Sequence, residues 1–525
     1  MISEEHGSEH HGAAAATILS RLWGALAREP VPGVAGRSVE RGVLTVRLVD
    51  GTVVSGDAAT ARPFAHPENT PRPVVVTRPD GRAPAEQHEP GELVRALGDC
   101  LGRHGPRFAA ELDNSVANVA LARAAQPAPD GGAGMLARAA AQPDPLVFFE
   151  QSVVDGHPLH PCARTRTGLD PDQVRAYAPE HRPPPVCLRS VAVPRDRWYG
   201  VNCPPRLWLH PYQYERHVPL HPWLSPVGRE IPAQPLMSLR TLALVGEADH
   251  HVKTAVDIQM TSAVRGVSAE SLHNGVQLSA LLAGHAEHVP GLRVLPDVGG
   301  GAVTIDGEPQ RSLAVNFRRV PPLAPGECAL PLGALCAPSL ATGAPLVAEL
   351  VADGYGRDAL AFVDALATVL LRPVFGWLEL GVALEAHGQN VLAVIREARL
   401  VGLLYRDFGG VRVSPRRLGE HGIEPGPLRG DIPTDDPEVL RAKVIASAVS
   451  TVLAEVIATL GRTAGVDEDQ AWQRVATIAR TIPGPDAPHL FDETLPLKAL
   501  TAMRLAQHPT TDLWCGVPNP MAGLR

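Results

Sequence analysis

Paired cysteines, aromatic residues and long apolar runs are all scarce in this 525-residue chain, and each scarcity removes a class of answer. The seven cysteines are odd in number and scattered, with no C-x-x-C pair. That argues against a disulfide framework and against a structural zinc site. No apolar run approaches the roughly 18 residues of a spanning helix, and the polar start MISEEHGSEHH has no signal h-region. The expectation is a cytoplasmic protein without a membrane segment. A net charge of -8 and a pI near 6.2 provide no basic surface for nucleic acid or anionic lipid. Aromatics make up 4% of residues against 52 Pro and 49 Gly, which predicts many turns and a core of Ala, Val and Leu. The length suits about three domains, and 45% hydrophobic with 20% charged residues is ordinary for a globular chain.

The first third reads as a support. Residues 13–27 place Ile18, Leu19, Leu22, Trp23 and Leu26 on one helical face. Residues 43–49, Asp50-Gly51 and 52–54 form a hairpin signal. Two helices follow, at 92–101 and 108–123, the second carrying Ser115 and Asn118, polar residues expected on its exposed side. Residues 124–145, rich in Ala, Gly, Pro and Gln, read as a linker.

Beyond it, residues 150–169 gather His157, His160, Arg164 and Arg166. Each histidine precedes a proline, which disfavours helix at that position, so the two rings cannot share a helical face as zinc-protease histidines do. An extended loop of His and Arg suits phosphate or carboxylate; a Pro-rich surface loop is the competing reading. Residues 235–241 (PLMSLRT) offer Ser238, Arg240 and Thr241 as donors. Residues 250–268 alternate as a strand, with Lys253, Ala255, Asp257, Gln259 and Thr261 on one face. That face is too polar for a core and suits a cleft. Arg265 would point inward with Thr261 only if the strand passed into a helix. The run DVGGGAVTIDGE (297–308) lacks the Lys-Ser/Thr of a phosphate loop and reads as a hairpin bend.

The stretch with most chemistry is EAHGQNVLAVIREARLVGLLYRDFGG (385–410): helix end, polar loop, strand, turn, strand, then an acidic residue. An antiparallel pair would set the Asn390 amide oxygen beside the Asp407 carboxylate, and magnesium on phosphate wants such oxygens. Kinases and small-molecule phosphotransferases arrange an Asn and an Asp-Phe-Gly in this way. They also carry a base for the attacking hydroxyl, whereas Gln389, after His-Gly, cannot act as one. A nucleophile that is already an anion, such as a carboxylate attacking the α-phosphate of ATP, needs none. A plain hairpin ending in a solvated Asp is the alternative. Arg164, Arg166, Arg240, Lys253 and Arg265 add five cations on segments that look buried and hold few acids. Unpaired, each would cost several kcal/mol, so a multiply charged ligand, ATP with a polycarboxylate, accounts for them.

GHPLHPCARTRTG, SLRT, KTAVDIQMTSAVR and EAHGQNVL with YRDFGG, in this order, resemble the IucA/IucC family, the NRPS-independent siderophore (NIS) synthetases. The similarity runs from ELDNSVAN at 111 to LPLKALTAMRL, most of the chain. The resemblance implies an α+β, multi-domain cupped hand: a thumb (1–145, with its linker at 124–145), fingers (146–340) that contact ATP and the carboxylate, and a palm (341–525) with a kinase-like nucleotide site. It implies adenylation of citrate or another polycarboxylate with ATP and Mg²⁺, capture by an amine or hydroxyl, and a homodimer. Carried over by position, His157, Arg164, Ser238, Arg240, Thr241, Lys253, Asn390 and Asp407 fall to ATP. Thr261, Ser262, Arg265 and His387 fall to the carboxylate, and Glu385, Asn390 and Asp407 to the metal. Arg265, His387 and Lys253 are the expected catalytic residues, His387 being a possible base. Lys498 and Arg504 match a C-terminal basic pair. Arg164 stands where the family usually has Lys, which replaces a point donor by a planar fork. A kinase-like phosphotransferase, a catalytically silent relative and an amide ligase of another natural-product pathway are the alternatives.

Overall fold

The computed structural model describes the chain except residues 1, 65–72, 262 and 507–510, and except the side chains of 2–8 and 263. Helix α1 (Ile2–Arg28) buries Ile18, Leu19, Leu22, Trp23 and Leu26, the stripe that a 3.6-residue period demands. Their core is shared with an antiparallel sheet of β1 (Val34–Glu40), β2 (Val43–Leu48), β3 (Val53–Asp57), β4 (Val74–Thr77) and β5 (Ala85–Gln87). Asp50 Oδ1 accepts the Thr52 amide at 2.8 Å, and Gly51, at φ +87°, supplies the left-handed residue of the β2–β3 turn. Helices α2 (Pro90–Leu97) and α3 (Gly105–Ala124) complete this thumb. Ser115 and Asn118 on α3 are 0% and 5% exposed, not outward-facing, because the His157–Arg166 loop covers them. The expected linker is in part a helix, Met135–Ala140, whose Met135 and Ala139 are packed into the palm core.

In the fingers, nine strands form an antiparallel sheet. The strand Glu247–Thr254 lies at its middle, between Thr241–Leu244 and Glu308–Arg319. The run 250–268 is not one strand. Val256–Met260 leaves for a smaller sheet with Ala263–Arg265 and Arg166–Thr167. Thr261, at φ +53°, makes the turn, so Arg265 reaches the cleft by a hairpin pairing with Val256 and no helix intervenes. Gly299, Gly300 and Gly301 likewise sit inside the strand Asp297–Ile305; the bend falls at Asp306-Gly307. Packing explains the glycines. A Cβ on Gly301 would stand 2.0 Å from Trp198 Cζ2, and one on Gly300 2.4 Å from Val315 O.

The palm sheet runs Leu292–Val294, Arg399–Tyr405, Val391–Arg396, Glu327–Pro331. The outer two strands precede residue 340, and Phe64, Met135 and Phe149 join the palm core. The cores therefore do not divide at 145 and 340, because chain passing between regions is drawn in by strand pairing and apolar burial. Two palm helices, Ala359–Leu380 and Pro437–Ala464, are long and apolar enough to cross a membrane, with mean hydropathy of 1.7 and 1.9. Counting uninterrupted apolar runs misses them, since Asp364, Thr368, Arg372 and Gly376 break the first and Ser447, Ser450, Thr451 and Glu455 the second. In the fold 83% of the second window is buried. That helix widens to π geometry over Ile445–Leu453, where Ser447 Oγ accepts the Ala386 amide at 2.9 Å and so anchors the loop after Glu385.

Because the Val315 carbonyl is held by its own ladder, Gly300→Ala forces strands apart, and such overpacking costs about 1–3 kcal/mol. The thermal unfolding midpoint should fall by several degrees; an unchanged midpoint would contradict the packing argument.

Candidate active site

The cleft opens where fingers and palm meet. Leu236, Ser238, Thr241 and Arg318 line it from the fingers, and Gln389, Asn390, Arg406 and Asp407 from the palm. Ser238 and Thr241 sit in the tight turn between Ile231–Pro235 and Thr241–Leu244, closed by the Thr241 amide donating to Ser238 O at 2.7 Å. Across the gap Lys253 Nζ donates to Asp407 Oδ2 at 2.6 Å. Asp407 takes φ +71°, a conformation that non-glycine residues adopt at a cost and that clusters at functional sites. Burial opposes ionisation of Asp407, yet Lys253, Arg318 and Arg240 outweigh it and hold the carboxyl far below the usual range. Lys253 feels the reverse: burial, with Arg240 and Arg318 nearby, brings it down to about 8 against the pull of Asp407.

The cations expected to await an anion divide into two kinds. Arg164 and Arg166 do not: both meet the fully buried Glu180, with Arg166 Nη2 donating to Oε2 at 2.9 Å and Arg164 Nη1 at 3.5 Å. Arg164 also donates through Nε to Val154 O at 2.8 Å, and through Nη2 to Val153 O. Its guanidinium is engaged by the loop carbonyls and by Glu180. Burial opposes the charge on Glu180, and the two arginines still hold it at about 2. Glu180 lies beyond the helix Pro171–Tyr177, outside the segment that carries the two arginines. Arg240 remains available. Its Nη1 donates to Gly266 O at 2.7 Å, while its buried Nε has no partner. Arg265 is half-buried; burial lowers its pKa, against the pull of Asp407 and Glu385. Two cations escaped the sequence reading. Arg318 is anchored by Asp297 at 2.9 Å and leaves its buried Nη2 unpartnered. Arg406 meets Glu150 at 2.6 Å and Gln389 O at 2.9 Å. Arg406 adjoins Asp407 in sequence, and Arg318 alternates with Asn316 on its strand; those were the signals.

The second end gathers His387, Glu385 and Lys498, and with them His157, which the resemblance gave to ATP but which the fold sets beside these three and not among the residues lining the Asp407 cavity. Glu385 Oε1 lies 2.8 Å from Lys498 Nζ and 3.4 Å from Lys443 Nζ, and both lysines also pair with Asp512, at 3.0 and 2.6 Å. Burial disfavours the Glu385 charge, but Lys498 and Lys443 pull its carboxyl far below the usual range. Burial lowers both histidines, His157 to about 3, so both rings are neutral at pH 7. His387 Nδ1 accepts the Gln389 amide and His157 Nδ1 the Leu159 amide, each at 3.2 Å. Thr261 is half-buried at its hairpin turn; Ser262 lies outside the described residues. Asp257, on the expected cleft face, is bound by His217 at 2.7 Å.

Hard oxygen donors for a cation remain at Asp407 and Asn390. The Asn390 Nδ2 donates to Glu385 O at 3.2 Å, which leaves its amide oxygen as the acceptor, and the pair fits Mg²⁺ with phosphate oxygens completing the shell. Glu385 does not fit beside them, because two lysines occupy its carboxylate. Among the described residues no group of three or more His, Cys, Asp or Glu side chains could hold a metal.

Comparison with known proteins follows the same division of the chain. The model of the IucA / IucC family matches residues 145–202 and 207–337. A model described as ferric iron reductase FhuF-like transporter matches 360–513, a segment without a single cysteine and so without a thiolate for iron. Staphyloferrin A synthase of Staphylococcus aureus is 26% identical over 72% of this chain and 73% of its own. D-ornithine–citrate ligase of the same organism is 23% identical over 71% and 68%. The solved structure of ATP-bound aerobactin synthetase IucA from Klebsiella pneumoniae shares the fold, with a TM-score of 0.75 and 18% identity over 97% of this chain and 99% of that one.

A polyphosphate beside Lys253 favours its charged form, so above about pH 8 nucleotide binding takes up a proton and weakens as pH rises. Calorimetry in two buffers of different ionisation enthalpy should show this uptake, and Lys253→Arg should abolish it. A dissociation constant flat from about pH 7 to about pH 9.5 would contradict the assignment.

Proposed function

The chain belongs to the IucA/IucC family of NIS synthetases, and on that premise we propose that the cleft activates a carboxylic acid with ATP and joins it to an amine or hydroxyl. The protein is a ligase of siderophore biosynthesis; the acid is citrate or a related polycarboxylate, as the name of the ornithine–citrate relative suggests. One observation carries the mechanism: Asp407 is held ionised among Lys253, Arg240 and Arg318, while the position open to a base carries Gln389, which lines the same cavity.

That environment suits an attacking group that brings its own charge. The cations Lys253, Arg240, Arg318 and Arg406 draw the triphosphate in and offset charge as it develops. Arg265 steers the substrate carboxylate toward the α-phosphorus. A carboxylate oxygen forms the new P–O bond as the bond to pyrophosphate breaks. Then an amine or hydroxyl attacks the acyl carbon, AMP departs with the electron pair of the acyl–oxygen bond, and the nucleophile loses its proton. His387, neutral and beside Glu385, can accept that proton. Mg²⁺, held by Asp407 and Asn390 when bound, would neutralise charge on the phosphates. Glu385 with Lys498 and Lys443 forms the polar wall facing the carboxylate. A cytoplasmic homodimer is part of the proposal, checked by light scattering.

Pyrophosphate release should depend on a carboxylate from a panel of citrate, citryl monoamides, 2-oxoglutarate and succinyl-amines, with hydroxylamine as acceptor. Asp407→Asn should lower kcat/KM by about 100-fold or more while the fold is retained. ADP as the product would establish a phosphotransferase instead. Pyrophosphate release with none of these acids would leave an amide ligase of another pathway.

A further inference from the structure

The thumb contributes no group to the chemistry above, yet one face of α3 holds both walls of the carboxylate end. From Glu111 to Asn118 that face is buried and polar, with Glu111 4%, Ser115 0% and Asn118 5% exposed. On one side it grips the fingers loop that bears His157. Thr165 Oγ1 donates to Glu111 O at 2.8 Å, Asn114 Oδ1 accepts the Arg166 amide at 2.7 Å, and Asn118 Nδ2 donates to Arg164 O at 2.9 Å. On the other side it grips the C-terminal segment that follows Lys498. Arg504 Nε donates to Glu111 Oε2 at 2.6 Å and its Nη2 donates to Oε1, a bidentate pair in which both side chains are buried. Apolar contacts repeat the pattern: Cys162 from the loop and Leu505 from the C-terminal segment both complete the thumb core. Residue 111 is thus the one position on α3 that binds both segments, through its carbonyl to one and its carboxylate to the other.

We infer that Glu111 is a positioning residue that sets the separation of the His157 loop and the Lys498 segment, and thereby shapes the carboxylate end of the cleft. The inference rests on the proposed function for what that end binds. The nucleotide end is built on the fingers sheet and the hairpin before Asp407; α3 touches it through the apolar packing of Leu121 against the cluster that holds Leu239, a contact that neither variant below alters. Loosening either wall therefore disturbs acid binding and leaves nucleotide binding intact. Misplacement by about 1 Å is enough to cost about 100-fold in rate.

Two variants release one wall each. Glu111→Gln removes the charge that holds Arg504, and Thr165→Val removes the loop's bond to the Glu111 carbonyl. In carboxylate-dependent pyrophosphate release each should lower kcat/KM for the acid by about 10- to 100-fold, with the nucleotide dissociation constant within about twofold of wild type. Hydrogen exchange should rise in 498–505 for Glu111→Gln and in 157–166 for Thr165→Val. Nucleotide affinity falling in parallel with acid kcat/KM, or lowered stability with acid kcat/KM unchanged, would overturn the proposal. If Glu111→Gln does not fold, Thr165→Val and Arg504→Lys carry the same test. Should the wild type release no pyrophosphate with any acid while exchange still rises segment by segment, the coupling stands and the reading of function fails.

Discussion

Asp407 and Lys253 stand 2.6 Å apart at the place where two differently built regions meet, and each helps to hold the charge of the other. Desolvation penalises the charged form of each, and each offsets that penalty for the other, with Arg318 and Arg240 adding to the hold on Asp407. Together they are the negative and the positive group that the proposed function gives to a metal ion and a polyphosphate. The strand Glu247–Thr254 presents Lys253 and the turn after Arg399–Tyr405 presents Asp407. The pair is therefore also a bond between fingers and palm. A cleft whose halves are joined by Lys253 and Asp407 is held closed by the electrostatics of its own lining.

Around this pair the protein spends buried carboxylates to keep arginines in place. Asp297 anchors Arg318, Glu150 anchors Arg406, and Glu180 anchors Arg164 and Arg166. A buried arginine with one carboxylate partner keeps its position, and where some of its five donors stay unspent they remain for a ligand. Arg318 follows that design, and Arg240, held by the Gly266 carbonyl instead of a carboxylate, shares its outcome: each has a buried nitrogen that has no partner. Arg164 does not, because carbonyls and Glu180 take its donors. The departure from the family pattern at this position therefore falls on a residue that holds its own loop.

Much was legible before any coordinates. The α1 stripe, the β2–β3 hairpin and the strand–turn–strand that delivers Asp407 follow from periodicity and turn residues, which act over a few positions and survive in any surroundings. That Ser238, Thr241, Lys253, Asn390 and Asp407 would meet at one cleft was legible because charged and hydroxyl groups on apolar segments need a reason to be there. What misled was the search for partners within a segment. Glu180 neutralises Arg164 and Arg166 from beyond a helix, two lysines occupy Glu385, and the triple glycine answers to Trp198 and Val315 across the sheet.

The amino-acid order alone determined the elements, their amphipathic faces and the stock of chemical groups, because these depend on neighbours one to four residues away. Only the tertiary structure decided which cations face the cleft and which are spent inside. It decided, too, that Arg265 arrives by a hairpin and that α3 ties two distant segments together. The physical reason is that a charge's fate in a low-dielectric interior depends on distance through space, and residues 111 and 504, or 253 and 407, come within 3 Å only once the chain has folded.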